Sequence, residues 1–199
     1  MVLYGARGHC RVIIDILEAL HMPIDYIVDD NPALVELLGY PVRRNIGEYD
    51  EVIISIGKNN IRKHIFETIK AKKYLTAIHP SAIISPRSVI GEGSVVMQGA
   101  IIQSCAEIGK HSIVNTGASV GHDVHIGNFV HVASHATITG GAVIGEGTWI
   151  GAGSVIRQGV HIGAWSMIGA GSVVVDDIPD GVVAFGNKCI VRHENEFRV

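Results

Sequence analysis

The chain has 199 residues, 18% of them charged, and a formal net charge of −3. That balance excludes the basic surface that binding to nucleic acid requires, and no uninterrupted apolar run reaches membrane-spanning length. Met1-Val2-Leu3-Tyr4 leads straight into a glycine turn, without the basic start and long apolar stretch of a signal peptide. Cys10, Cys105 and Cys189 are odd in number and lack metal-type spacing. A reducing cytoplasm is therefore the expected setting, with the thiols as packing filler.

Residues 1–75 read as a small α/β unit. Val2-Leu3-Tyr4 forms a strand, Gly5-Ala6-Arg7-Gly8 a turn, and Val12, Ile13, Ile16, Leu17 and Leu20 the apolar face of a helix. A second strand runs from Ile24 to Val28 and ends in Asp29-Asp30. A third runs from Val52 to Ile56 and is closed by Gly57, and a helix over 61–69 would turn Ile61, Ile65, Phe66 and Ile69 to one side. This order predicts a parallel, Rossmann-like sheet. Ligands of such sheets sit beyond the strands' carboxyl ends, here Gly5 to His9, Asp29-Asp30 and Gly57 to Asn60. The first turn lacks a full G-x-G-x-x-G. Two readings stay open: a nucleotide site, or glycines that only turn the chain and aspartates that only cap a loop.

His79-Pro80 marks the join, with direct packing expected between the two parts. From Ile78 to Val174 every sixth residue is isoleucine or valine. Neither helix nor isolated strand imposes that rule, but a solenoid of short strands does, since each face of each coil supplies one branched side chain to a shared interior. The residue two places earlier is small or β-branched throughout, for example Ala100, Ala118, Val130 and Ser154. Gly91, Gly109, Gly127, Gly145 and Gly163 recur every eighteen residues, so three hexapeptides make one triangular coil. Residues 76–199 thus read as a parallel β-helix with a short C-terminal tail.

Histidines gather on the solenoid. His111, His125, His135 and His161 are read as surface residues. His122 differs, because Asp123 follows it, and a carboxylate that orients an imidazole suits a general base. His131 lies nine residues on, half an eighteen-residue coil away. The two rings of one chain should face different sides and meet only across a subunit boundary.

Together these segments resemble the sugar O-acyltransferase family of hexapeptide-repeat proteins. That family includes sialic acid O-acetyltransferases and the UDP-4-amino-sugar N-acetyltransferases of bacillosamine synthesis. The resemblance rests on Tyr4 to His9 with Val12 and Asp15, on Val28-Asp29-Asp30, on Ile56 to Asn60 and on Val114 to Ala118. Val120-Gly121-His122-Asp123 through Phe129-Val130-His131 to Gly140-Gly141 carries most of it, and Asp180 to Asn187 fits as well.

The resemblance implies a left-handed β-helix and an acetyl-CoA-dependent transfer to the amino group of a nucleotide-linked sugar, with no metal. It casts His122 as the catalytic base and Asp123 as its acidic neighbour. His131 and Asn115 would meet the thioester end of acetyl-CoA, and Gly151-Ala152 and Gly169-Ala170 would line the CoA groove. Arg7, Gly8, His9, Asp29, Asp30 and Gly57 would hold the nucleotide sugar. It further implies a homotrimer with active sites between neighbouring β-helices.

Three positions depart from the family: Arg7 replaces a small residue, His125 a cysteine or small residue, and Gly186-Asn187-Lys188-Cys189 the usual Gly-Asn-Pro-Ala ending. The first bears on phosphate contact, the second on the acceptor pocket and the third on the C-terminal contact with CoA. Two rivals share the repeat. A γ-class carbonic anhydrase would need zinc-ligand spacing that His122, His125, His131 and His135 do not give. A non-catalytic scaffold would have no use for His122-Asp123 beside a nucleotide-type unit. O-acetylation of sialic acid or another sugar hydroxyl is the alternative within the family.

Overall fold

The computed structural model describes residues 1–196. The N-terminal unit runs β1 (Val2–Tyr4), α1 (Gly8–Ala19), β2 (Tyr26–Val28), β3 (Glu36–Leu37), β4 (Tyr40–Arg43), β5 (Glu48–Ile54), α2 (Asn59–Thr68) and β6 (Lys70–Tyr74). Its sheet has the order β3-β4-β2-β1-β5-β6. Every neighbouring pair is parallel except the β3–β4 hairpin. β2 starts at Tyr26 where the sequence suggests Ile24, and the Asp25 carboxylate just before it accepts a hydrogen bond from the N-terminal ammonium at 2.7 Å.

The small hairpin and β6 escape a reading of apolar alternation. β6 is a lysine-rich edge strand, and its Lys70, Lys72 and Lys73 pair with Glu48, Asp50 and Glu51 of β5. Charges of this kind discourage a further strand from adding to the edge.

The two helices are anchored differently. α1 buries Cys10, Ile13, Ile14, Ile16 and Leu17, as an amphipathic pattern dictates. On α2 the expected apolar side is not the one that leads. Ile61 is 39% exposed, whereas Asn59 and Arg62 are buried. Asn59 donates through Nδ2 to the Gly147 and Thr148 carbonyls of the solenoid at 3.0 and 3.2 Å, and Arg62 donates to solenoid carbonyls as well, so polar bonds turn this helix.

In the solenoid each two-residue strand pairs in parallel with the one eighteen residues on, as in Val95↔Ile113 and Val96↔Val114. Three faces result. The first starts at Ala77–Ile78, the second at Ile83–Ile84 and the third at Val89–Ile90. From Val96 to Val174 the periodic aliphatics are all buried and form one cluster with Ala100, Ala118, Val124 and Val130. Full burial of each branched side chain contributes about 1.5–3 kcal/mol. In the C-terminal tail, Val182–Phe185 continues the first face and pairs antiparallel with Ile190–Glu194.

The N-terminal unit packs on the outside of the first face. Cys10, Ile13, Ile14 and Leu17 of α1 share a core cluster with Ala77, Val95, Met97 and Ile113. Cys189 lies in the solenoid interior, so two of the three thiols are packing residues, and Cys105 is exposed.

Candidate active site

His122 and Asp123 occupy the corner between the second and third faces, in the turn after Ser119–Val120. Asp123 adopts a left-handed backbone (φ 57). Its amide donates to Ser104 in the preceding coil, and Gly141 in the following coil donates to the His122 carbonyl. Backbone bonds to both neighbouring coils thus fix the turn. The side chains meet within it, His122 Nδ1 to Asp123 Oδ2 at 2.7 Å, and both remain largely exposed. With Nδ1 engaged by the carboxylate, Nε2 is the nitrogen left to exchange a proton. An open trough of about 440 Å³ runs beside the ring, floored by Ile83, Ile84, Ile101 and Ile102 with Gln103 and Ser104 at its edge.

His131 lies on the first face and is buried beneath the N-terminal unit. Its Nε2 is 3.0 Å from Asn115 Nδ2, and its Nδ1 faces the Gly57 carbonyl at 3.3 Å. Trp149 packs against one side of the ring and His9 approaches from α1, at centroid distances of 4.0 and 6.3 Å. Burial, the Arg62 charge and His9 push the His131 pKa down to about 3. Burial and Arg62 hold His9 at about 4. Both rings are therefore neutral at pH 7. His122 and His131 sit on different sides of the coil and share no contact within one chain.

The remaining sequence-derived residues fall in two places. Arg7 and Gly8 are exposed where α1 begins. Asp29 is already engaged, accepting from the Ala6 and Asn31 amides at 2.9 Å each, so one of its roles is to brace the first glycine turn. Gly5 in that turn has φ 108, and a Cβ there would lie 2.6 Å from Ile56. Asp30 is exposed, with the Tyr4 hydroxyl 3.5 Å away. Gly151 and Gly169 line the corner between the first and second faces. A Cβ at Gly151 would strike the next coil's backbone at 2.5 Å, and one at Gly169 would strike Phe185 at 2.6 Å. Coil stacking alone thus accounts for both glycines. Ala152 and Ala170 beside them stay exposed.

Three features were not anticipated. His111, read as a surface residue, is 1% exposed. It stacks on Phe129 at 5.2 Å with Phe66 and Tyr74 around it. The buried Arg62 guanidinium joins the two parts of the chain, donating to the carbonyls of Ile56, Gly57, His111 and Phe129 and to Asn59 Oδ1. Its only signal in the sequence is a cation in the middle of an otherwise apolar helix stripe. The third is a cleft of about 450 Å³ between the start of α2 and the first face, lined by Lys58, Asn60, Ile61, Trp149, Trp165 and Met167 among others. Among the described residues no group of three or more His, Cys, Asp or Glu is placed to hold a metal ion. No helix among them is long and apolar enough to cross a membrane.

Comparison with known proteins places this arrangement. Residues 1–69 match the PglD N-terminal domain, and residues 141–176 match the bacterial transferase hexapeptide (six repeats). A histidine variant of perosamine N-acetyltransferase from Caulobacter crescentus, solved with CoA and GDP-perosamine, is 34% identical. Its superposition covers 97% of this chain and 96% of that one, with a TM-score of 0.90. The acetyltransferase domain of PglB from Neisseria gonorrhoeae FA1090 is also 34% identical, covering 96% and 98% with a TM-score of 0.89. The UDP-N-acetylbacillosamine N-acetyltransferase of Bacillus subtilis (strain 168) is 47% identical over 43 residues, 21% of this chain and 20% of its own length. The matched stretch thus spans about a fifth of that relative. Fold and repeats define a hexapeptide-repeat transferase. More narrowly, the chain belongs to the sugar acyltransferase family of hexapeptide-repeat proteins, and it is an acyltransferase.

Proposed function

We propose that the chain is an acetyl-CoA-dependent N-acetyltransferase acting on the amino group of a nucleotide-linked 4-amino sugar, of the UDP-4-amino-4,6-dideoxy type. The observation that carries this reading is the His122–Asp123 pair, closed at 2.7 Å on an open solenoid corner with Nε2 free to take a proton. His122 accepts the proton of the sugar amine as its nitrogen attacks the thioester carbonyl. The tetrahedral intermediate then collapses, the C–S bond breaks, and the departing CoA thiolate takes up the proton that His122 accepted, which restores the free base. Asp123 holds the ring and stabilises its charged form. Asn115 and His131 would meet the thioester end of acetyl-CoA, which would run along the Gly151-Ala152 and Gly169-Ala170 corner. Arg7, Gly8, His9, Asp29, Asp30 and Gly57 would hold the nucleotide end of the acceptor.

This assignment requires more than one copy, because His122 and His131 face different sides. A homotrimer that sets the first face and N-terminal unit of one copy against the His122 corner of the next completes the site. Ile83 and Ile101, 65% and 36% exposed in the single chain, provide an apolar surface for such packing. A cytoplasmic setting fits the three unpaired thiols. A GDP-linked amino sugar is the second reading, favoured by the similarity to the perosamine enzyme solved with GDP-perosamine.

The test is thiol release from acetyl-CoA with UDP- and GDP-linked 4-amino sugars and free sialic acid as acceptors. Release with one amino sugar should fall by about 10²–10⁴-fold in His122→Ala. Full activity in that variant, with assembly unchanged, would overturn the role of His122. Turnover of sialic acid alone would replace N- with O-acetylation.

A further inference from the structure

Gly140 lies one coil beyond His122, at the equivalent corner position eighteen residues on. A Cβ built on Gly140 would sit 2.6 Å from both Cε1 and Nε2 of His122 and 3.1 Å from Nδ1. The imidazole therefore lies flat on the glycine and occupies the volume that any side chain would need. Other corner glycines are constrained differently. At Gly91, Gly109, Gly127, Gly145 and Gly151 a Cβ would meet the backbone of the next coil at 2.4–2.6 Å or 2.7 Å. At Gly140 the obstruction is one side chain, which is 59% exposed in the single chain.

The direction of lean also sets His122 apart. His111, His135 and Trp165 fold back over Gly93, Gly117 and Gly147 of the preceding coil. Each of those three rings belongs to a residue with a left-handed backbone. His122 does not adopt that conformation, whereas the next residue, Asp123, does. The His122 ring leans forward onto Gly140 and so keeps its Nδ1 on Asp123.

We propose that Gly140 is a positioning residue for the reaction: its missing side chain holds the His122 imidazole in the orientation that pairs Nδ1 with Asp123 and presents Nε2 to the acceptor amine. This rests on His122 being the base. An alanine at 140 meets no left-handed backbone penalty, and the solenoid keeps its stacking. The ring is pushed off the coil and loses its contact with Asp123.

The experiment compares Gly140→Ala, His122→Ala and the double variant by thiol release from acetyl-CoA, using UDP-4-amino-4,6-dideoxy sugar and GDP-perosamine as acceptors. Alongside, NMR follows the ring Cε1–H of His122 in protein labelled at histidine, with the signal assigned by its loss in His122→Ala. Gly140→Ala should lower kcat on the order of 10²-fold, as expected of a base misplaced by about 1 Å. KM should change by less than about threefold, the His122 signal should shift, and Tm and assembly should stay as in the parent. In the His122→Ala background the same alanine should cost nothing further, since the ring through which it acts is gone. An unshifted His122 signal, an unchanged kcat beside an inactive His122→Ala, or a further loss in the double variant would each overturn the proposal. Full activity of His122→Ala instead defeats the assignment of the base itself.

Discussion

Arg62 carries its charge into the join between sheet and solenoid, and among the described residues no carboxylate bonds to it. Burial pulls its pKa down to about 9, which leaves it protonated at neutral pH. Its planar fork reaches carbonyls of both parts of the chain, among them Gly57 at 3.0 Å and Phe129 at 2.8 Å. The same charge lowers the pKa values of His9, His111 and His131. A lysine cannot span these acceptors, because it offers one compact ammonium in place of a fork. Arg62→Lys and Arg62→Met should each lower the unfolding free energy by about 3 kcal/mol, since both strand buried carbonyls. Denaturant unfolding checks this. A neutral Arg62→Met would mean that the carbonyl bonds only offset the cost of burying the cation.

At the scale of elements, the six-residue rule makes the solenoid legible in the sequence, because each inward position has a single acceptable chemistry. The parallel pairing and direct docking of the N-terminal unit follow from strand order and from the absence of a linker. Less was visible at the join. α2 is oriented by Asn59 and Arg62 bonding to backbone carbonyls of another element, and no periodicity encodes such partners. His111 reads as a surface residue because an outward position on a β-helix is normally wet, yet here Phe66 and Tyr74 of the other unit cover it. His122–Asp123 was legible because the partners are adjacent in sequence, while the His131–Asn115–Gly57 contacts span up to 74 residues. Coil spacing itself gives a sharp expectation. A Cβ at Gly109 would lie 2.5 Å from the backbone of Gly127, and backbone cannot give way as a side chain can. Gly109→Ala should therefore destabilise by about 1–3 kcal/mol, read as a lower Tm, whereas Gly140→Ala leaves Tm in place. Equal Tm values for the two variants would refute this account of the corners.

For the molecule as a whole, the join decides how it responds to acid. His9, His111 and His131 all lie there, held at about 4, 4 and 3 by burial first and the Arg62 charge second. An unfolded chain protonates its histidines near pH 6.5. Above that pH both states bind the same number of protons, and stability does not change on this account. As pH falls below 6.5 the unfolded chain gains protons that the folded chain refuses, so stability drops until the folded pKa values are reached. One such histidine contributes a slope of about 1.4 kcal/mol per pH unit. Three together over two units approach the whole stability of an ordinary domain, about 5–15 kcal/mol. The chain should therefore hold a level Tm from pH 7 to 8 and lose it steeply between 6 and 4. His111 offers the cleanest dissection, since among the described residues neither ring nitrogen has a hydrogen-bond partner. Its backbone conformation (φ 53) is shared by Phe129 (φ 57) at the same corner of the next coil, so a phenylalanine suits the position. His111→Phe should keep the neutral-pH Tm within a few degrees and flatten the acid slope by about one proton. If the variant unfolds along the same acid profile as its parent, His111 is not one of the groups that open the join.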